Sequence, residues 1–408
     1  MKPLSPRIRA KGFSLIELMV AMTIALTISL AIFAAMSTFE GRKRSNTSSN
    51  DASQAGNYAA FILDKWIRSA GSGFSQTTDG SFDYVMCQLH AMNSGTQTLP
   101  RTASLPAPFD NINTGTANQF RLVPLLILPG QTTPNISGQA SDAIVLMAGA
   151  GGLSEAAGSF RAAPSSSLLS VYNVTGFRAN DMLLIARKGS TGACLIEQAS
   201  ATSNSNLNAQ TITLGGSFYS ASINGKSLTS AEFCGTASNA QAARKCSVIS
   251  LGNLATTSGS PASPPGFLVI GVGNNNTLVA YDLLQILGSQ PFPIADNVYS
   301  MHARYGIDTN NDGRVDAWTA ATGNYAPAAL TAADGSGINR ICSIKAIRVG
   351  LVLRTSVREQ ANVSNTTLTL FSDIQALTVT LNDPKYRYQA IETTIPLRNL
   401  ISTTCPSS

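Results

Sequence analysis

The chain has 408 residues, 44% of them apolar and only 12% charged, with 28 Lys and Arg against 22 Asp and Glu and a formal net charge of +6. That length allows a sizeable core and roughly two or three domains. The thin charge, with no basic run longer than Arg42-Lys43-Arg44, leaves electrostatic binding of nucleic acid without support.

The first element in chain order is a short basic leader, Lys2, Arg7, Arg9 and Lys11, that ends at Gly12-Phe13-Ser14-Leu15-Ile16-Glu17. Residues 18–39 then contain no charge, proline or glycine, enough at ~1.5 Å per residue for a helix to cross a ~30 Å hydrocarbon core. Glu17 stands at the mouth of this span. An acidic group there needs a cation, because a charge inside a membrane helix costs roughly 2.5–3.5 kcal/mol. Cutting after Gly12 would create an α-amino group on Phe13, one helical turn from Glu17, in the same chain or a neighbour. An ordinary cleaved signal peptide has a shorter apolar core and a small-x-small site after it; a plain anchor explains the length but not the Gly-Phe-x-x-x-Glu spacing. These first thirty or so residues resemble the class III signal of type IV prepilins. The resemblance implies that a prepilin peptidase cuts between Gly12 and Phe13 and methylates Phe13, and that Glu17 sets subunit register. Losing the leader leaves 24 basic against 22 acidic residues. The leader's charges favour a cytoplasmic start; Arg42, Lys43 and Arg44 oppose that, and the resemblance decides for a single pass of the bacterial inner membrane with the bulk in the periplasm.

One long helix is expected over 13–69, with 18–39 transmembrane, loosened at 45–50 where Ser, Asn and Thr crowd and stopped by Gly71-Ser72-Gly73. Ala55, Tyr58, Ala59, Ile62 and Trp66 form an apolar stripe at helical spacing, expected to pack on a head. Beyond residue 74 short apolar runs recur between Gly, Pro, Asn and Ser clusters, at 120–128, 143–147, 182–186, 211–214, 267–272, 277–287, 344–353, 368–371 and 377–381, and read as strands. Asn274-Asn275-Asn276 reads as a hairpin turn. Residues 200–210 and 255–266 read as linkers, so the head at 70–408 holds one subdomain or two. The fold class is α+β: a leader at 1–12, a long membrane-spanning helix, and a β-rich head packed on its second half. Ala70-Gly71-Ser72-Gly73-Phe74, the segment from Val298 to Asp312 in which an apolar strand ends in Arg304-Tyr305-Gly306-Ile307-Asp308, and Tyr386-Arg387-Tyr388 with Thr393-Thr394-Ile395-Pro396-Leu397-Arg398-Asn399 resemble the PilW family of type IV pilus assembly proteins. The resemblance implies a low-abundance minor pilin. Its partners would be other minor and major pilins, the prepilin peptidase and the inner-membrane assembly machinery.

Asp308-Thr309-Asn310-Asn311-Asp312-Gly313-Arg314-Val315-Asp316 matches the first nine places of an EF-hand calcium loop, with side-chain ligands at Asp308, Asn310, Asp312 and Asp316 and a carbonyl at Arg314. Thr319 replaces the bidentate Glu, which predicts weak binding; the alternative is an Asn/Asp/Gly turn held by local hydrogen bonds. Asn224-Gly225-Lys226-Ser227 lacks the first glycine of a P-loop, and Gly271-Val272-Gly273 lacks the third of a dinucleotide fingerprint. With no nucleophile elbow, no His-Glu-x-x-His and only His90 and His302, the chain is not expected to be an enzyme. The six cysteines, Cys87, Cys194, Cys234, Cys246, Cys342 and Cys405, form no C-x-x-C pair, which argues against zinc. Their even number outside the cytoplasm suggests disulfides in one of roughly 15 connectivities, with Cys234–Cys246 favoured by proximity and buried free thiols the alternative. The function expected is a minor pilin that primes assembly of the type IV pilus and sits at its tip. The alternatives are a type II secretion pseudopilin and a calcium-dependent tip adhesin whose variable region is 75–265.

Overall fold

The computed structural model describes residues 12, 14–75, 82–112, 119–132, 140–150, 157–205, 210–255, 262–401 and 405. The leader up to Lys11, Phe13, and residues 206–209 and 256–261 within the two expected linkers lie outside the described residues. The chain divides into two units, residues 1–51 and 52–408.

One α-helix, Leu15–Arg68, begins in the first unit and ends in the second. It is unbroken at 45–50, contrary to the loosening expected there. Ser, Thr and Asn in a helix interior cost only about half a kcal/mol each relative to Ala, and no proline removes a bond. Within the first unit every large apolar side chain from Leu15 to Phe39 is at least half exposed. Four hydroxyls of this stretch bond to the helix itself: those of Thr23 and Thr27 donate to the carbonyls three residues back, and those of Ser29 and Thr38 to the carbonyls four back. That back-bonding lets a hydroxyl sit in hydrocarbon without an unpaired donor.

In the second unit the helix buries Ala52, Gly56, Ala59, Leu63 and Ile67. This stripe is turned from the expected one, of which Tyr58 is 54% exposed and Ala55, Ile62 and Trp66 are only half-buried. The cause is Gly56, where an added Cβ would overlap Leu353 Cδ1 and meet Ile391 Cδ1 at 2.9 Å. A bare backbone permits the closest approach to the sheet, and this approach sets the rotation of the helix. Trp66 packs edge-on against Phe292, with ring centroids 6.5 Å apart.

The head is β-rich as expected. Its N-terminal sheet has eight strands, in which Gln88–Asn93 runs parallel to Ala193–Asn204 and the other pairs are antiparallel. A five-stranded middle sheet contains the expected hairpin, Gly266–Gly273 with Thr277–Asp282, closed by Asn275 and Asn276 at φ 62° and 57°. A four-stranded C-terminal sheet runs in the order Ala317–Thr319, Val298–Ile307, Ile344–Arg354, Tyr388–Pro396. A separate two-stranded ribbon pairs Thr367–Leu370 with Leu377–Thr380. One large core joins the helix to residues of all three sheets, and a second lies on the other side of the N-terminal sheet. Within the expected linker at 200–210, residues 200–204 and Gln210 are strand, because Ala193–Asn204 pairs with Gln210–Leu214.

Candidate functional site

The helix start is built by two side chains. Ser14 N–H donates to Glu17 Oε2 (3.0 Å) and Glu17 N–H donates to Ser14 Oγ (3.2 Å). This reciprocal pair is a capping box, which satisfies two of the helix's orphan donors and places an anion at the positive end of its dipole. The signal for this box in the sequence is the Ser-x-x-Glu spacing of Ser14 and Glu17, which overlaps the Gly-Phe-x-x-x-Glu pattern. Gly12 is exposed; its partner in the expected cleavage, Phe13, lies outside the described residues.

The opposite end of the helix is closed by the C-terminal segment. Gly71 and Gly73 take φ of +77° and +84°, the left-handed conformation that ends a helix, and Phe74 beyond them is fully buried. Asn399 Nδ2 donates to the carbonyls of Ser69 (3.3 Å) and Ala70 (3.0 Å). Asn399 is held in turn: Leu397 N–H donates to Lys345 O (2.8 Å), Lys345 Nζ to Leu400 O (2.8 Å), and Cys405 is bridged to Cys342. Two of the stretches singled out in the sequence, 70–74 and 393–399, therefore meet at one place. The third, around 304–308, ties sheets together: the Tyr305 hydroxyl accepts from Ile127 N–H (2.6 Å), and the Arg304 guanidinium lies 5.2 Å from the Phe371 ring centre.

The loop at 308–316 is closed by its own carboxylates. Asp308, only 5% exposed, accepts the N–H groups of Asn310, Asp312 and Gly313. Asp312 accepts from Arg314 N–H, and Asp316 from both the N–H and the hydroxyl of Thr309, which hold the Asp316 carboxyl below its ordinary range. Asn310 Nδ2 reaches Asp312 Oδ2 at 3.4 Å. Burial pushes the Lys345 ammonium down while the nearby charge of Asp308 pulls it up, so a cation already stands beside the loop. Thr319 lies in the ladder opposite Tyr305. Among the described residues, no group of three or more His, Cys, Asp or Glu side chains is placed to hold a metal ion.

All six cysteines are paired, as Cys87–Cys194, Cys234–Cys246 and Cys342–Cys405. His90 and His302 are both buried, and Nδ1 of His302 lies 3.8 Å from Asp142 Oδ1.

Two families match the chain. The Prokaryotic N-terminal methylation motif covers residues 7–37, which hold the basic leader, Glu17 and most of the apolar span. The family described as Type IV Pilus-assembly protein W covers residues 268–399, from the middle-sheet hairpin to the asparagine that closes the helix. No curated protein and no solved structure matches the chain. With an apolar helix behind a methylation motif and a head that carries the second match, the two matches together support a PilW-family type IV minor pilin.

Proposed function

We propose that this minor pilin is inserted in the inner membrane with its head in the periplasm, is processed between Gly12 and Phe13, and helps prime the filament, at whose tip it sits. The observation that supports this most directly is the capped carboxylate at the mouth of an uncharged span. The helix passes from bilayer to filament without losing apolar surroundings, and Glu17 offers the one directional charge, for the amino terminus of a neighbouring subunit. The capping box gives the test, because Gln also caps a helix at this position. Glu17→Gln keeps the cap and removes the charge, whereas Ser14→Ala removes the cap's hydroxyl and keeps the charge. Surface filaments and cleavage of this protein are measured together in the producing cell. Lost filaments with normal cleavage in Glu17→Gln, and retained filaments in Ser14→Ala, are expected. Normal filaments in Glu17→Gln would overturn the assembly role.

On its spacing alone, the 308–316 loop is proposed as a weak calcium site, with Asp308, Asn310, Asp312, Asp316 and the Arg314 carbonyl as ligands; this would also serve the adhesin reading. Calcium at about a hundredfold excess over its Kd should then stabilise the full chain by roughly 2–3 kcal/mol. Asp312→Asn should abolish the shift in melting temperature, and an unshifted parent protein in millimolar calcium would remove the metal from the account.

A further inference from the structure

We propose that the outer edge of the strand Tyr388–Pro396 is a docking edge, to which another type IV pilin subunit adds an uncharged extended segment. This rests on the minor-pilin reading and goes beyond it by naming the surface. The register decides which groups are free. Thr355 N–H donates to Arg387 O, and Leu397 N–H to Lys345 O, in line with the pairing of Ala346 to Pro396 and Arg354 to Tyr388. Antiparallel ladders alternate. Residues 389, 391, 393 and 395 therefore bond inward to Ile344–Arg354, while Tyr388, Ala390, Glu392 and Thr394 turn their N–H and C=O groups outward. Among the described residues those outward groups have no backbone partner.

Other sheet edges are protected in ways this one is not. Phe292–Ala295 carries Pro293. Leu125–Thr132 carries Pro129, and its Ile127 N–H is taken by Tyr305. Thr96–Leu99, Gly158–Ser159, Leu168–Ser170 and Ala317–Thr319 span only four, two, three and three residues. Natural proteins blunt exposed edges with short strands, proline or charge, and the nine residues of Tyr388–Pro396 have none of these before Pro396 except Glu392. That carboxylate is already committed, accepting from Arg348 (2.9 Å) and from Phe371 N–H (2.9 Å). The side chains left exposed along the strand are Gln389, Ala390 and Thr394, which suit an uncharged strand. The edge also adjoins the element that brings pilins together, since Ser53 on the helix donates to Gln389 Oε1 (2.7 Å). Strand addition supplies affinity through the main chain, and the partner that meets both helix and edge is a neighbouring pilin subunit.

Proline at an outward position removes a donor without touching the internal ladder. A photoreactive benzophenone side chain is placed at position 389 of the full chain in the producing cell, and cross-linked subunits are identified by mass spectrometry. A cross-link to another processed pilin is expected. Thr394→Pro should cut its yield about tenfold, the effect of one lost backbone bond with its alignment, while the protein accumulates and is cleaved as before. An undiminished cross-link, or none to any pilin while Glu17→Gln still abolishes filaments, overturns the docking edge and leaves the minor-pilin reading standing. Intact filaments in Glu17→Gln would instead strike that reading itself. Should Thr394→Pro fail to accumulate, Ala390→Pro repeats the test, and failure of both contradicts the premise that the outward groups are dispensable for folding.

Discussion

At the scale of single residues, Glu197 is a costly group to bury in the head. It is fully buried; Oε2 accepts Ser220 N–H (3.1 Å), whereas Oε1 has no hydrogen-bond partner among the described residues. Burial pushes its carboxyl from the ordinary 4.5 up to about 8, opposed only by the Ser220 bond. Because the folded value lies above the unfolded one, the unfolded chain releases this proton from about pH 4.5 while the folded chain keeps it until about pH 8. Stability from this group is present below pH 4.5 and is lost across that window. At ~1.4 kcal/mol per unit, the loss approaches about 5 kcal/mol. Glu197→Gln should flatten the decline, so that melting temperatures measured at pH 5 and pH 9 differ less than in the parent protein. An equal pH dependence in both proteins would show that the carboxyl is ionised in the fold.

At the scale of elements, the helix is controlled at its two ends and at one point between. Asn399 takes two carbonyls left open at the helix C-terminus, so Asn399→Ala should cost about 1–3 kcal/mol, the penalty for leaving buried carbonyls without donors. Gly56→Leu should cost more, roughly 2–4 kcal/mol, because the sheet side chains it would strike, Leu353 and Ile391, belong to a packed core. Chemical denaturation of the full chain in detergent measures both. If Gly56→Leu proved neutral, the close approach of helix and sheet would be wrong. The apolar stripe at 55, 58, 59, 62 and 66 was readable as helical, but its rotation was not. A period of 3.6 tolerates either of two neighbouring stripes, and only the missing Cβ at position 56 selects between them.

At the scale of the whole molecule, two of the three disulfides fasten distant parts of the sequence. Cys342–Cys405 spans 63 residues and Cys87–Cys194 spans 107. Removing the first with Cys342→Ser and Cys405→Ser should destabilise the head by about 2–4 kcal/mol. It should also couple to Asn399→Ala, since both changes release the same C-terminal segment. Non-additive stabilities in a double-mutant cycle would establish that the segment acts as one latch on the helix; strict additivity would separate the two. Of these pairings only Cys234–Cys246, 12 residues apart, was favoured by proximity, because longer closures depend on which strands become neighbours.

The local chemistry of the chain was sufficient for the leader, the membrane helix, the glycine stop, most strands, the Asn274–Asn276 turn and the family resemblance that follows from them. Those features are set by period, charge and turn residues within a few positions of one another. Tertiary structure decided what depends on contact between distant segments. It rotated the helix about Gly56, made strand of residues 200–204 in the expected linker at 200–210, brought Asn399 onto Ser69 and Ala70, and placed Lys345 beside the acidic loop. It also left one long strand edge open. Strand order and burial arise from which faces meet in the packed core, and a one-dimensional pattern specifies the faces without specifying their partners.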